Sequence, residues 1–162
     1  MIYKKRFTKE QALQKLKHYC AYQERCMQDV KDKLFELRIS NKYHDEMIGY
    51  LVENNILNEE RFAIAFAKGK FRINQWGKIK IRYELKQKKI NEEYIKKALQ
   101  QIDQSNYENV LNVMAKEKYD SLKTEQYLIR KKKTLDYLLQ KGYEATLISK
   151  AISELTTKTK EQ

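Results

Sequence analysis

Between residues 68 and 89 the chain carries nine positive side chains, Lys68, Lys70, Arg72, Lys78, Lys80, Arg82, Lys86, Lys88 and Lys89, against a single carboxylate, Glu84. Ammonium and guanidinium groups at that density do recognition chemistry: they attract phosphate-rich polymers or an acidic protein groove. Lysine-rich helix faces are commonly plain solvated surface, but an excess of eight charges in 22 residues with almost no counter-charge favours a binding face. Lys78, Arg82, Lys86 and Lys89 recur at spacings of three and four, which predicts one helix face opposite Ile81 and Leu85. A second run, Arg130 to Lys133, wraps around its helix and is the weaker candidate. Trp76, just before Gly77, has two readings: a platform for a nucleobase, or, as the more common use of such a residue, a packed helix junction.

No residues form a constellation for catalysis. His18 and His44 fall in different predicted helices, and no Ser or Cys has a nucleophile's setting. Cys20 and Cys26 stand six apart on one helical stretch, about 600° around an ideal helix, so they read as free thiols with packing roles on nearly opposite faces. His18 and Cys20, two apart and about 200° around the helix, are read as surface positions and not as metal ligands. The carboxylate pairs Glu59 with Glu60 and Glu92 with Glu93 sit at predicted helix starts, where they compensate the helix dipole. There is no glycine-rich phosphate loop. The expectation is a protein that is not an enzyme and carries no cofactor or metal.

The elements that must position the basic residues are helices. The 162 residues include no proline and only four glycines, which leaves little material for hairpins and tight turns. Hydrophobic residues make up 41%, with 12 tyrosines and five phenylalanines, enough for a core although 35% of residues are charged and the net charge is +12. No apolar run has the length of a membrane span, and Lys4, Lys5 and Arg6 precede no signal-like apolar stretch. A cytoplasmic protein without membrane contact is expected.

Apolar residues recur at helical spacing in three groups of three helices. Thr8 with Gln11 reads as a capping box before Ala12, Leu13, Leu16, Tyr19 and Cys20. Val30, Leu34 and Leu37 form a second stripe, and Met47, Ile48, Leu51 and Val52 a third. Asn58 caps a helix with Phe62, Ala65 and Phe66 on its apolar face, a break at 74–77 precedes Ile81 and Leu85, and Asn91 caps a helix bearing Tyr94, Ile95, Ala98, Leu99 and Ile102. Ser105 with Glu108 reads as a further box before Val110, Leu111 and Met114. Thr124 is the expected cap of a helix carrying Leu128, Leu135 and Leu138, ended by Gly142 in a left-handed turn, and 145–155 closes the series.

Residues 85–95 lie over 138–148 at a shift of 53, sharing Leu, Gln, Lys and Ile at matching turns, and Val30 and Leu34 match Ile81 and Leu85. The reading is all-α, with three tandem three-helix repeats forming an elongated, curved body: a first repeat at 1–57 with an N-terminal extension, a basic central repeat at 58–104, and a third at 105–162 with a C-terminal tail. Net charge is +3, +6 and +3 in these segments, so the middle repeat holds half the excess.

The central stretch Asn58-Glu59-Glu60-Arg61-Phe62-Ala63, then a basic helix, then Trp76-Gly77-Lys78-Ile79-Lys80-Ile81-Arg82-Tyr83-Glu84-Leu85-Lys86-Gln87-Lys88-Lys89-Ile90, resembles the signature of the bacterial regulatory RecX family. The resemblance extends over nearly the whole chain, since three tandem three-helix repeats are also that family's architecture. Arg61, Phe62 and Ala63 match its helix-start motif, Gly77 its turn, and Ile81 and Leu85 its apolar spine; Arg72, Lys78, Lys80 and Arg82 match its basic face. Lys70 stands where the family often has Arg, keeping charge without the bidentate fork. Lys89 replaces the Gly expected before Ile90, so that turn must form without glycine's freedom at positive φ.

What the resemblance implies is a monomeric regulator that binds the RecA filament on single-stranded DNA, lodges in its helical groove across adjacent protomers, and modulates, usually by inhibition, its ATPase, recombinase and co-protease activities in DNA repair, recombination and the SOS response. Weak direct DNA binding is a further expectation. Two other readings stand beside it: a direct DNA-binding protein with helix-turn-helix-like units, and a structural adaptor whose basic face is only solvated surface.

Overall fold

The structure, a computed structural model, describes residues 6–160, with side chains to residue 157. Lys4, Lys5 and the last residues of the expected C-terminal tail lie outside them. Among the described residues the chain is all-α: α1 Lys9–Tyr22, α2 Met27–Glu36, α3 His44–Glu53, α4 Glu59–Asn74, α5 Lys78–Gln87, α6 Glu92–Gln100, α7 Gln104–Ser121, α8 Tyr127–Lys141 and α9 Ala145–Lys160, with a 3-10 turn at Asn41–Tyr43 and no strand.

Local chemistry accounts for most helix ends. Thr8 accepts from the Gln11 amide while the Gln11 side chain accepts from the Thr8 amide, closing the expected box. Asn58 accepts from the Arg61 amide at 2.9 Å and Asn91 from the Glu93 amide at 2.8 Å. Two expected caps are wrong. The carboxylate of Asp103, not Ser105, caps α7 by accepting from the Asn106 amide at 2.9 Å, because it stands two residues earlier and captures the first free donors. α8 starts after Gln126 with no side-chain cap, leaving Thr124 outside the helix. The cysteines also differ from expectation: Cys20 lies in α1, Cys26 is the residue capping α2, and both are buried.

The three triplets share one turn between their second and third helices. Ile39, Ile90 and Tyr143 donate their amides back to Leu34, Leu85 and Leu138, and the residue before each, Arg38, Lys89 or Gly142, has positive φ of 58°, 60° or 95°. This is the paired closure of helix C-termini in which a left-handed residue lets orphan carbonyls find donors. Leu34, Leu85 and Leu138 are each fully buried.

The core is in two pieces. Ala12, Leu16, Val30, Leu34, Met47 and Leu51 belong to a cluster confined to the first triplet. A second cluster runs without interruption through the other two triplets, from Phe62, Ala67 and Phe71 to Tyr107, Leu138 and Ile152, and it also takes in Cys26 from the first. Some stripe positions are displaced: Val52, Ala65 and Leu128 are exposed, while Ala63, Ala67 and Phe71 carry the buried face of α4. The accessible surface of 11009 Å² exceeds the roughly 8,600 Å² of a compact globule of this mass, as units set in a row require.

Candidate functional site

α4 and α5 carry the basic residues, and the structure divides them. Lys68 and Arg72, one turn apart on α4, line a groove of about 590 Å³ against the start of α7, with Gln75, Gln101 and Asn106. Neither makes an ion pair among the described residues, and Asp103 in the same groove is engaged in capping α7. Lys70 and Lys80 approach the Trp76 ring with ammonium groups 4.9 and 4.7 Å from its centroid. Trp76 is half-buried on the core and meets Phe66 edge-on with centroids 6.4 Å apart, so its indole is a junction piece with two cations seated on it.

α5 holds Lys78, Arg82 and Lys86 on one side. This side adjoins Ile81 and Leu85 instead of opposing them, since Lys78 and Arg82 lie within about 100° of both around the helix, and both cations are half-buried. Lys89 lies beyond the end of α5 and off this face. Glu92 at the start of α6 neutralises much of it, pairing with Arg82 and, at 3.5 Å, with Lys86. Lys78 donates to Gln104 at 2.9 Å and sits over the Tyr107 ring. Lys96, not singled out in the sequence, joins Lys78 and Arg82 around a shallow groove of about 240 Å³. Lys68, Lys70, Arg72, Lys78, Lys80 and Lys89 therefore keep their charge uncompensated by any ion pair among the described residues, while Arg82, Lys86 and Lys88 do not.

Lys88 belongs to a junction. It pairs with Asp29 of α2 at 3.2 Å, while Asp29 also accepts from the Cys26 amide. Burial pulls the Lys88 pKa down, and Asp29 more than offsets this, so the net shift is upward. Arg61 fastens the same junction, donating to Glu24 at 2.6 Å and to the Asn55 and Ile56 carbonyls at 3.1 and 3.3 Å. Its neighbours Phe62 and Ala63 are buried. Cys26 inserts into the second core, where burial pushes its thiol up to about 11.

The junction between the second and third triplets is tighter. The Gly77 amide donates to the Lys141 carbonyl at 2.7 Å and the Ile79 amide to the Gly142 carbonyl at 3.0 Å. A Cβ on Gly77 would stand 2.3 Å from the Gly142 carbonyl carbon and oxygen. Gly77 has φ of −76°, so glycine is needed there for close approach and not for a special backbone conformation. The Tyr107 hydroxyl accepts from the Lys78 amide at 2.9 Å and donates to Glu144 at 2.7 Å, and the Tyr143 hydroxyl donates to the Gln75 carbonyl at 2.9 Å. The two rings lie against each other at a tilt of 33° with centroids 5.0 Å apart, and burial raises both phenol pKa values. Sequence reasoning missed Tyr107 and Glu144; the signal was there in Tyr107, which follows its cap by four residues as Phe62 does.

His18 is exposed, whereas His44 is buried and donates from Nε2 to the Ile39 carbonyl at 2.9 Å. No group of three or more metal-ligating side chains occurs among the described residues. No helix among them is long and apolar enough to cross a membrane.

Residues 58–99 match the family model described as RecX, second three-helix domain. A protein of Prosthecochloris aestuarii named Regulatory protein RecX is 29% identical over 146 residues, covering 90% of this chain and 94% of the relative. One of Bacillus cytotoxicus with the same name is 26% identical over 137 residues, 85% of this chain and 51% of the relative. The chain thus spans about half the length of its Bacillus relatives. The crystal structure of RecX from Lactobacillus salivarius superposes with a TM-score of 0.80 at 23% identity, covering 91% of this chain and 96% of that one, a shared fold.

Proposed function

The chain belongs to the RecX family, and we propose that it is a non-catalytic regulator that binds the RecA filament on single-stranded DNA and restrains its ATPase, recombinase and co-protease activities. The observation that carries this reading is the uncompensated positive charge of Lys68, Arg72, Lys80 and Lys89 on the central triplet, with a triplet on each side of it. In this reading the middle triplet meets nucleoprotein while the outer ones reach different protomers. Each contact is weak, and their linkage supplies the avidity. The three proposed repeats, 1–57, 58–104 and 105–162, are the units of that contact.

The test is the single-stranded-DNA-dependent ATPase of the cognate RecA, titrated with this protein at fixed moderate salt. A fall near or below stoichiometric ratios, with little affinity for the same DNA alone, supports the proposal. An unchanged ATPase together with tight, salt-sensitive binding to bare DNA would mark a direct nucleic-acid binder instead. Lys68→Glu with Arg72→Glu is expected to weaken the inhibition at least about tenfold, because two like charges would then face the polyanion. If inhibition survives that change and the triple Lys78→Glu, Arg82→Glu, Lys86→Glu with helicity intact, the basic face is solvated surface and the adaptor reading holds.

A further inference from the structure

The third triplet departs from the other two at the start of its second helix. α2 and α5 have ten residues each, and their capping residues, Cys26 and Gly77, precede the spine leucines Leu34 and Leu85 by eight positions. Eight positions before Leu138 stands Arg130, already inside the 15-residue α8. Tyr127, Leu128 and Ile129 therefore form an extra turn that the second helices of the other two triplets lack. Their exposures are 48%, 75% and 43%. An added turn that leaves three large apolar side chains in water is not explained by the stability of its own triplet.

Leu128 and Leu135 form one wall of an open groove of about 310 Å³ between α8 and α9, with Ile152 and the small Ser149 and Ser153 opposite. Lys131 and Lys132 stand on its rim, and no carboxylate lines it. Arg130 and Lys133 are drawn off to Asp120 and Glu125, whereas Lys131 rests 5.7 Å from the Tyr127 ring centroid and Lys132 has no ion pair among the described residues. Leu128 and Leu135 are two helical turns apart, about 10 Å along α8.

We infer that this groove is a docking site for an acidic amphipathic helix of a partner protein, its apolar anchors laid between α8 and α9 and its carboxylates set against Lys131 and Lys132. An apolar trough with charged margins is how helical peptides are held in grooves. A nucleic acid would gain nothing from the exposed leucine. A second copy of this chain, carrying a net charge of +12, would bring positive charge onto a positive rim. The inference does not rest on the filament reading and is tested without RecA or DNA.

The probe is a fluorescein-labelled peptide of about 18 residues with leucines at helical spacing on one face and glutamates on the other, titrated with the full chain and read by anisotropy. The acidic peptide is expected to bind at least about tenfold more tightly than its lysine-for-glutamate counterpart. Leu128→Ser, at an exposed site that spares the fold, and Lys131→Glu with Lys132→Glu are each expected to weaken binding at least about fivefold. Lys78→Glu with Arg82→Glu should change it less than about twofold, since those residues lie on the other basic face. Equal binding of both peptides, indifference to Leu128→Ser, or loss only in the middle-face variant overturns the inference. So does a chain that is dimeric by light scattering and turns monomeric on Leu128→Ser, which makes the groove a self-interface.

Discussion

Lys89 holds a φ of 60° at the turn where its counterpart in the third triplet is Gly142. A left-handed conformation costs a residue with a Cβ roughly 1 to 2 kcal/mol, partly offset by the greater freedom a glycine loses on folding. Lys89→Gly is therefore expected to raise stability by about 1 kcal/mol in urea titrations, removing one exposed charge as it does so. Gly77→Ala should act in the opposite direction and more strongly. The clash is with backbone and no side chain can swing away, so a loss of about 3 kcal/mol is expected. The Cys26 thiol, held near 11 by burial and tucked among apolar side chains, should react with iodoacetamide at pH 8 only after denaturant is added. Rapid modification of the folded protein would show that the first junction opens readily.

Helix junctions carry the next set of consequences. Tyr107→Phe removes the acceptor of the Lys78 amide and the donor to Glu144 while keeping the ring contact, for an expected cost of about 1 to 3 kcal/mol by urea titration. Alkali acts on both junctions. Cys26 is raised from 9.0 to about 11, so its contribution is complete below about pH 9 and lost as pH rises toward 11; the raised phenols of Tyr107 and Tyr143 have the same sign and extend the loss above about pH 10. The urea midpoint should hold to about pH 9 and then decline, and a constant midpoint to pH 11 would contradict the burial of these groups. The helices were largely legible because Thr8, Asn58, Asn91 and Gly142 act on amides and carbonyls a few residues away. Ser105 misled because a cap is chosen by competition and Asp103, two residues earlier, takes the free amide, whereas Thr124 misled because α8 begins after Gln126 with no side-chain cap at all. The composition of the basic patch was legible too, but not its partition: Lys88 meets Asp29, 59 residues earlier, and Arg82 and Lys86 share Glu92 across a turn. Leu128 shares the helical spacing of Leu135 and Leu138, but periodicity does not reveal that α8 begins a turn early, which leaves Leu128 exposed.

At the scale of the whole molecule the two junctions differ in kind. The first joins separate cores through ion pairs and hydrogen bonds made by side chains, with one inserted cysteine. The second is continuous core sealed by backbone hydrogen bonds across two glycines. Native-state hydrogen exchange should accordingly find α1 and α3 opening at lower free energy than α5 and α8, with the first triplet exchanging as its own unit. Uniform protection through all the helices would show that the ion pairs couple the cores as firmly as the glycine seam does. Solution conditions should discriminate as well: added salt screens Glu24 with Arg61 and Asp29 with Lys88 at the half-exposed first junction and leaves the buried seam nearly untouched.

The seam between Gly77 and Gly142 also sets an order of events on the ribosome. The first core is complete once residue 57 has emerged, so that triplet can close while the rest is still being made. The middle triplet cannot finish in the same way. Gly77 and Ile79 wait for carbonyls at residues 141 and 142, and Gln75 for the hydroxyl of Tyr143. During synthesis the nascent chain must hold the most basic of its three units half-assembled until residues 141 to 143 have emerged, which makes a translational pause after α6 a point at which this protein is exposed to a chaperone or a protease.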